Sequence, residues 1–192
     1  MQHKIYLAGP EVFLDNVAEL SARKKEICSR HGLTGVFPLD AEISQLDSMS
    51  PAAQARAISE ANEDLMRGCD GLIANCTPFR GPSMDIGTGY EIGFMRGRDR
   101  PVFGYSNVSG DYKQRAEHYN ETRGERAVDP YTAGSEVEDF GLFENLMIAV
   151  ALRNFDFDVV CKTVEPGCEL TDLTAFERCA EMAAHHFARE TS

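Results

Sequence analysis

Apolar positions along this chain fall into two patterns, short continuous runs and longer stretches with helical spacing. The short runs read as buried strands of a parallel sheet. They are Lys4-Ile5-Tyr6-Leu7-Ala8 before Gly9-Pro10, Val36-Phe37 before Pro38, Leu72-Ile73-Ala74, and Pro101-Val102-Phe103-Gly104-Tyr105. Helical spacing predicts helices over Asn16 to His31, Pro51 to Arg67 (capped by Ser50), Met84 to Met95, Phe140 to Arg153, and Leu170 to Arg189 (capped by Thr171). Glu42 to Ser50 is polar and reads as a loop. Strands alternating with helices predict an α/β fold around a parallel sheet with right-handed crossovers, in a single domain over 1–192. Ser106 to Ser135 interrupts the alternation, because Gly, Asp, Asn, Arg and Tyr fill it and aliphatic residues are few. It reads as a long surface insertion, a lid or a poorly ordered loop.

One stretch concentrates the candidate chemistry. Asn75 to Gly93 leaves the Leu72-Ile73-Ala74 strand, passes through a Pro/Gly-rich loop and enters a helix that contains Gly87, Gly89 and Gly93. Each glycine costs a helix about 1 kcal/mol relative to alanine, so three of them call for close approach of a backbone or a ligand. Asp85 and Glu91 stand among these small residues at the carboxyl end of a strand, where open α/β sheets bind ligands. An aspartate at a helix start is most often a cap, and Asp85 fits that role as well. Glu91, between Tyr90 and Ile92, is harder to read as part of a solvated face.

Composition narrows the classes. A chain of 192 residues with 43% hydrophobic and 26% charged residues suits one soluble globular domain. Its net charge of −12 and lack of a basic stripe argue against a nucleic-acid polymer as partner. No apolar run has the length of a membrane span, and Met1-Gln2-His3-Lys4 leads into a strand without a signal peptide, so a cytoplasmic location is expected. The six cysteines form no CxxC pair, and Cys161 and Cys168 have no histidine beside them. Reduced, mostly buried thiols and no metal are the expectation. The first strand runs into Gly9-Pro10-Glu11 rather than a GxGxxG turn, and neither a phosphate-binding P-loop nor a Ser/His/Asp elbow is present. What remains is carboxylates, Asp64, Asp85 and Glu91. Acids around a small-residue pocket suit glycosyl transfer, where one attacks the anomeric carbon and another helps the leaving group.

These residues also carry a resemblance. Ile5-Tyr6-Leu7-Ala8-Gly9-Pro10, Asn62-Glu63-Asp64-Leu65, Asp70, the run Asp85-x-Gly-x-Gly-x-Glu91-x-Gly93, and Asn145-Leu146-Met147 resemble the nucleoside 2-deoxyribosyltransferases in order and spacing. The resemblance implies a flavodoxin-like parallel sheet of about five strands flanked by helices. It also implies a cofactor-free enzyme of nucleoside salvage that exchanges the base of a 2′-deoxynucleoside through a deoxyribosyl-glutamate intermediate. By position, Glu91 would be the nucleophile, Tyr6 would orient it, Asp85 would bind the sugar, and Asp64 would assist protonation of the base. Phe13 matches an aromatic that lines the family's pocket, and Gly87 belongs to the small-residue run between Asp85 and Glu91. The loops after Gly9 and Asp40 would shape the base pocket. Asn145 and Met147 match residues that the family inserts into a neighbouring subunit's site, so a homo-oligomer is implied, with deoxynucleosides and free nucleobases as its small-molecule partners.

Two other readings stay open. The 2′-deoxynucleoside 5′-monophosphate N-glycosidases share the strand and the glutamate, but they resemble this chain less in the first loop and at Asp85. A carboxylate there repels a 5′-phosphate. Arg80 and Ser83 lie nearby in the sequence and are the residues that would favour phosphate. A nucleoside-binding module without turnover is the third reading, because a fold alone does not give function.

Overall fold

The strand β1 (His3–Ala8) is buried along its carboxyl-terminal half and sends alternate side chains to opposite faces, which decides the layering around it. Ile5 and Leu7 enter one core, while Tyr6 and Ala8 enter the other. The computed structural model describes residues 2–122, 135–153 and 157–190. Within them β1 pairs with β2 (Leu33–Val36) and β3 (Gly71–Asn75), and β4 (Val102–Ser106) and β5 (Val160–Cys161) continue the sheet beyond β3. Every pairing is parallel, and the order β2-β1-β3-β4-β5 is that of flavodoxin-like folds.

Six helices flank the sheet among the described residues: α1 (Val17–Arg30), α2 (Pro51–Arg67), α3 (Ile86–Arg96), α4 (Tyr112–Thr122), α5 (Leu146–Leu152) and α6 (Thr174–Glu190). Ile27 and Cys28 of α1 and Phe176, Cys179, Ala183 and Phe187 of α6 fill one core. Met66 of α2, Ile92 and Met95 of α3 and Leu152 of α5 fill the other. On β4, Phe103 and Tyr105 join the first core, and Gly104 between them makes room for α5: a Cβ there would lie 2.7 Å from Leu152 Cδ1.

Several boundaries differ from the sequence reading. The insertion over 106–135 is not structureless: its first half holds α4, started by Asp111, whose Oδ1 accepts from the Gln114 amide at 2.9 Å, while 123–134 lie outside the described residues. Its helix was hidden because Ala116 is its sole buried residue. The helix expected over Phe140 to Arg153 shrinks to Leu146–Leu152, with Asn145 as its cap. The helix expected from Met84 begins at Ile86, because Asp85 caps it. Thr171 does not cap α6; Asp172 Oδ1 accepts the Thr174 amide at 2.8 Å instead. The short edge strand β5 had no apolar run long enough to announce it. Of the six free cysteines, Cys161 and Cys168 are exposed and the other four buried.

A buried polar knot joins the carboxyl ends of three strands. Glu11, on the 3-10 turn Pro10–Phe13 after β1, is fully buried, as are Lys24 of α1 and Asn75 of β3. Glu11 Oε1 accepts from Lys24 Nζ, from Asn75 Nδ2 at 2.9 Å and from the Tyr105 hydroxyl at 3.1 Å. The Lys24 ammonium also lies 5.7 and 5.1 Å from the ring centroids of Tyr105 and Phe176, a cation–π arrangement. A buried charge left without its partner is costly. Lys24→Met is therefore expected to lose about 3–5 kcal/mol in urea unfolding, and adding Glu11→Gln to recover most of it. A Lys24→Met protein as stable as the parent would show that the pair does not hold the strand ends.

Candidate functional site

The chain leaves β1 toward α1 and β3 toward α3, helices that pack in different cores, so the carboxyl ends of these two adjacent strands form the switch point where open α/β sheets bind ligands. Tyr6 stands on β1 beside it. Its ring is fully buried and its hydroxyl donates to Glu91 Oε1 of α3 at 2.9 Å. Burial pushes the Glu91 carboxyl up to about 7; the Tyr6 hydrogen bond opposes this, and the charges of Asp85 and Glu11 add to it. Burial, followed by the charge of Glu91 and the bond to it, also raises Tyr6, so the phenol stays a donor. The pair is a carboxylate held in one orientation and titrating near neutrality.

Asp85 is half-buried at the start of α3. Its Oδ2 accepts from the Thr88 amide at 3.0 Å and the Thr88 hydroxyl at 3.2 Å, whereas Oδ1 meets no donor among the described residues. The aspartate is thus both the cap weighed in the sequence and a carboxylate with one oxygen to spare. Of the three glycines on α3, Gly89 faces Ile148 of α5, and a Cβ there would stand in ordinary contact with Ile148 Cδ1, at 3.6 Å. A Cβ at Gly93 would meet nothing within 4 Å, and one at Gly87 would meet only Asp85 Oδ2, at 3.0 Å.

The loops around this pair carry an aromatic ledge. Phe13 is half exposed and stacks on Phe79, with ring centroids 5.6 Å apart and planes inclined by 12°. The Arg80 guanidinium lies 4.7 Å from both centroids, on a residue whose φ of 58° is left-handed. Arg80 has no carboxylate partner among the described residues.

Other predicted residues are placed less directly. Asp64 is not brought to the Tyr6–Glu91 pair: its side chain is 77% exposed and bonds Arg67 at 2.6 Å, one turn along α2. The acid of α2 that meets α3 is Glu63, which accepts from the Tyr90 hydroxyl at 2.5 Å and from Arg67 at 2.6 Å. Helical phase explains this, since adjacent residues on a helix point about 100° apart. Asp40 uses both oxygens within its own region, Oδ1 on Lys25 and Oδ2 on the Phe37 amide at 2.8 Å. At Gly9 the space of a side chain is taken by Glu11, whose Oε2 lies 2.0 Å from where a Cβ would be. Asn145 caps α5 through Oδ1 and donates from Nδ2 to Glu138 at 2.7 Å, while Met147 is 71% exposed. Glu11 and Glu138 were not singled out in the sequence; an acid directly after Gly9-Pro10 at the end of a buried strand was the available signal for the first. Among the described residues no group of three or more His, Cys, Asp or Glu side chains is placed to hold a metal ion, and no helix is long and apolar enough to cross a membrane.

Known proteins resemble this chain in sequence and in fold. A family model described as nucleoside 2-deoxyribosyltransferase matches residues 5–147. An uncharacterized protein of Schizosaccharomyces pombe is 36% identical over 162 residues, which are 78% of this chain and 76% of the relative. Among solved structures, a 2-desoxiribosyltransferase from Leishmania mexicana superposes with a TM-score of 0.57 at 26% identity, covering 82% of this chain and 89% of that one. A conserved protein from Enterococcus faecalis V583 shares the fold at 18% identity, with a TM-score of 0.57 and coverage of 96% and 99%.

The raised Glu91 carboxyl has a consequence for stability. A group held above its ordinary 4.5 in the folded state stabilises that state below 4.5, and the contribution is lost as pH rises through about 7. Glu91→Gln removes the dependence. Relative to the parent, this variant should gain roughly 2 kcal/mol in unfolding free energy between pH 5 and pH 8. A difference that stays constant across that range would show that Glu91 titrates as an ordinary surface acid.

Proposed function

Because the chain belongs to the nucleoside 2-deoxyribosyltransferase family, we propose that it exchanges the base of 2′-deoxyribonucleosides through a covalent deoxyribosyl-Glu91 intermediate. The observation that carries this reading is the largely buried Glu91 carboxylate, oriented by Tyr6 and titrating near neutrality. A binding module needs no such group at its pocket floor. In the first displacement a Glu91 oxygen attacks C1′, and the C1′–N bond breaks with its electron pair leaving on the base, which takes up a proton. In the second, a nitrogen of the incoming base attacks C1′, the C1′–O bond breaks, and the carboxylate is restored as the incoming base gives up a proton. The transition states have oxocarbenium character, which a fixed carboxylate stabilises. The spare oxygen of Asp85 accepts a sugar hydroxyl, and Phe13 lines the base. Asp64, standing in solvent beside Arg67, is given no role in protonating the base within its own chain.

An oligomer completes the site in this proposal. Ile86 and Tyr90 of α3 and Met147 and Val150 of α5 are 90%, 56%, 71% and 60% exposed, and Gly93 beside them leaves open room. A second copy covering this apolar face brings Asn145 and Met147 to its neighbour's pocket and excludes water. Arg80, which lies over Phe13 and Phe79 and meets no carboxylate among the described residues, favours a second reading, hydrolysis of deoxynucleoside 5′-monophosphates, against which the charge of Asp85 stands.

Incubation with 2′-deoxyinosine and free adenine or cytosine tests the assignment. A new deoxynucleoside is expected from the parent and none from Glu91→Ala, which should remain folded. Exchange by Glu91→Ala would remove the glutamate from the mechanism, and base release confined to the 5′-monophosphate would favour the hydrolase. Sedimentation should show a dimer or larger assembly, and Val150→Asp should dissociate it and reduce exchange about tenfold or more. A fully active monomer would rule out the shared site.

A further inference from the structure

The segment that interrupted the sequence pattern has a use. The first turns of α4, inside the insertion after β4, grip the chain that leads to Asn145. The Tyr112 amide donates to Leu142 O at 2.8 Å, and Lys113 Nζ bonds Asp139 at 2.7 Å. Arg115 does more. Its Nε donates to Pro82 O at 3.0 Å, one terminal nitrogen to Gly110 O at 2.9 Å, and the other to Phe143 O while lying 3.7 Å from Glu144 Oε2.

Glu144 carries the connection onward from a fully buried position. Its Oε1 accepts from the Ser83 hydroxyl at 2.7 Å and the Asn145 amide at 3.0 Å, and its Oε2 accepts from the Met84 amide at 3.0 Å. One arginine–glutamate pair therefore spans the loop that ends at Asp85 and the segment that ends at Asn145. The guanidinium suits this post because its planar fork serves several acceptors at once, which an ammonium on a flexible stem does not.

We propose that Arg115 is a positioning residue for base exchange, fixing both the loop of Asp85 in its own site and the Asn145–Met147 segment that completes a neighbour's, so that the deoxyribosyl-enzyme reacts with a base rather than with water. The inference rests on the transferase reading above. It does not involve the Tyr6–Glu91 pair, which is built on β1 and α3 and makes no contact with Arg115. Glu91 therefore keeps its place when Arg115 is lost, and release of the first base is affected less than transfer. What changes is the second step, in which water attacks C1′ in place of the base nitrogen, the C1′–O bond to Glu91 breaks, and the water gives up a proton to yield free deoxyribose.

The test compares the parent with Arg115→Lys, Arg115→Met and Glu144→Gln, the last keeping the side-chain shape. Free sugar and new deoxynucleoside are measured from 2′-deoxyinosine with adenine. Expected is a rise of about tenfold in the ratio of hydrolysis to transfer in all three variants, with a higher KM for adenine and base release within a few-fold of the parent. An unchanged ratio in Arg115→Met, or restoration of the parent ratio by lysine, overturns the proposal. Amide hydrogen exchange gives a second readout that does not depend on turnover. In Arg115→Met the amides of Met84 and Asn145 should exchange faster together while those of Ile92 and Met95 do not. Independent behaviour of the two segments overturns the proposal even if the parent proves inactive, and inactivity of the parent counts against the transferase reading alone.

Discussion

The pairing of Lys24 with Glu11 is the constraint from which the site's geometry follows. Both side chains are withdrawn from water, and neither is tolerable there without the other. Because Glu11 Oε1 also receives Asn75 and Tyr105, the pair fastens the ends of β3 and β4 and the helix α1 to the turn that leaves β1. Gly9 is required by this packing, since any side chain there would collide with Glu11 Oε2 and with Asn75. The turn then delivers Phe13 to the ledge shared with Phe79 and Arg80.

With the strand ends fixed, the reactive pair needs little more. Tyr6 is locked in the core and can offer its hydroxyl in one direction, and α3 starts where Asp85 caps it, which sets the phase that turns Glu91 inward. Burial and two neighbouring negative charges hold the carboxyl near neutrality, while the tyrosine supplies the donor that keeps its ionised form accessible. The moving parts of the chemistry are thereby left to the loops. Those loops share an apolar cluster through Met84 and Phe143, and the polar contacts through Arg115 and Glu144 add directional bonds that set their relative placement.

Much of this was legible in the chain. The apolar runs at Ile5–Ala8, Leu72–Ala74 and Val102–Tyr105 are strands, since a sheet buried on both faces accommodates runs this short, and Ser50-Pro51 starts α2 as its cap chemistry dictates. Asp85 and Glu91 were readable from the small-residue stretch that holds them and Tyr6 from the family resemblance, and the structure brings Tyr6 and Glu91 within hydrogen-bond distance. Asp70, in the same motif, turns out to bind the Lys4 amide at 2.9 Å and so to anchor the start of β1.

The rest depended on contacts between residues far apart in the chain. No local pattern says that Glu11 will meet Lys24, Asn75 and Tyr105, because each partner comes from a different element. Asp64 and Glu63 are adjacent acids in the sequence, and only the packing of α2 beside α3 decides that Glu63 meets Tyr90 while Asp64 stays in solvent. The helix α4 was hidden for the same reason: it buries one alanine and is held by directional bonds to carbonyls at Pro82, Gly110 and Phe143, which leave no hydrophobic period to read. Periodicity records which faces are apolar, and so the sequence by itself determined four of the five strands and five of the six helices among the described residues. Charge pairing and hydrogen bonding across the fold record nothing along the chain, and those only the tertiary structure decided.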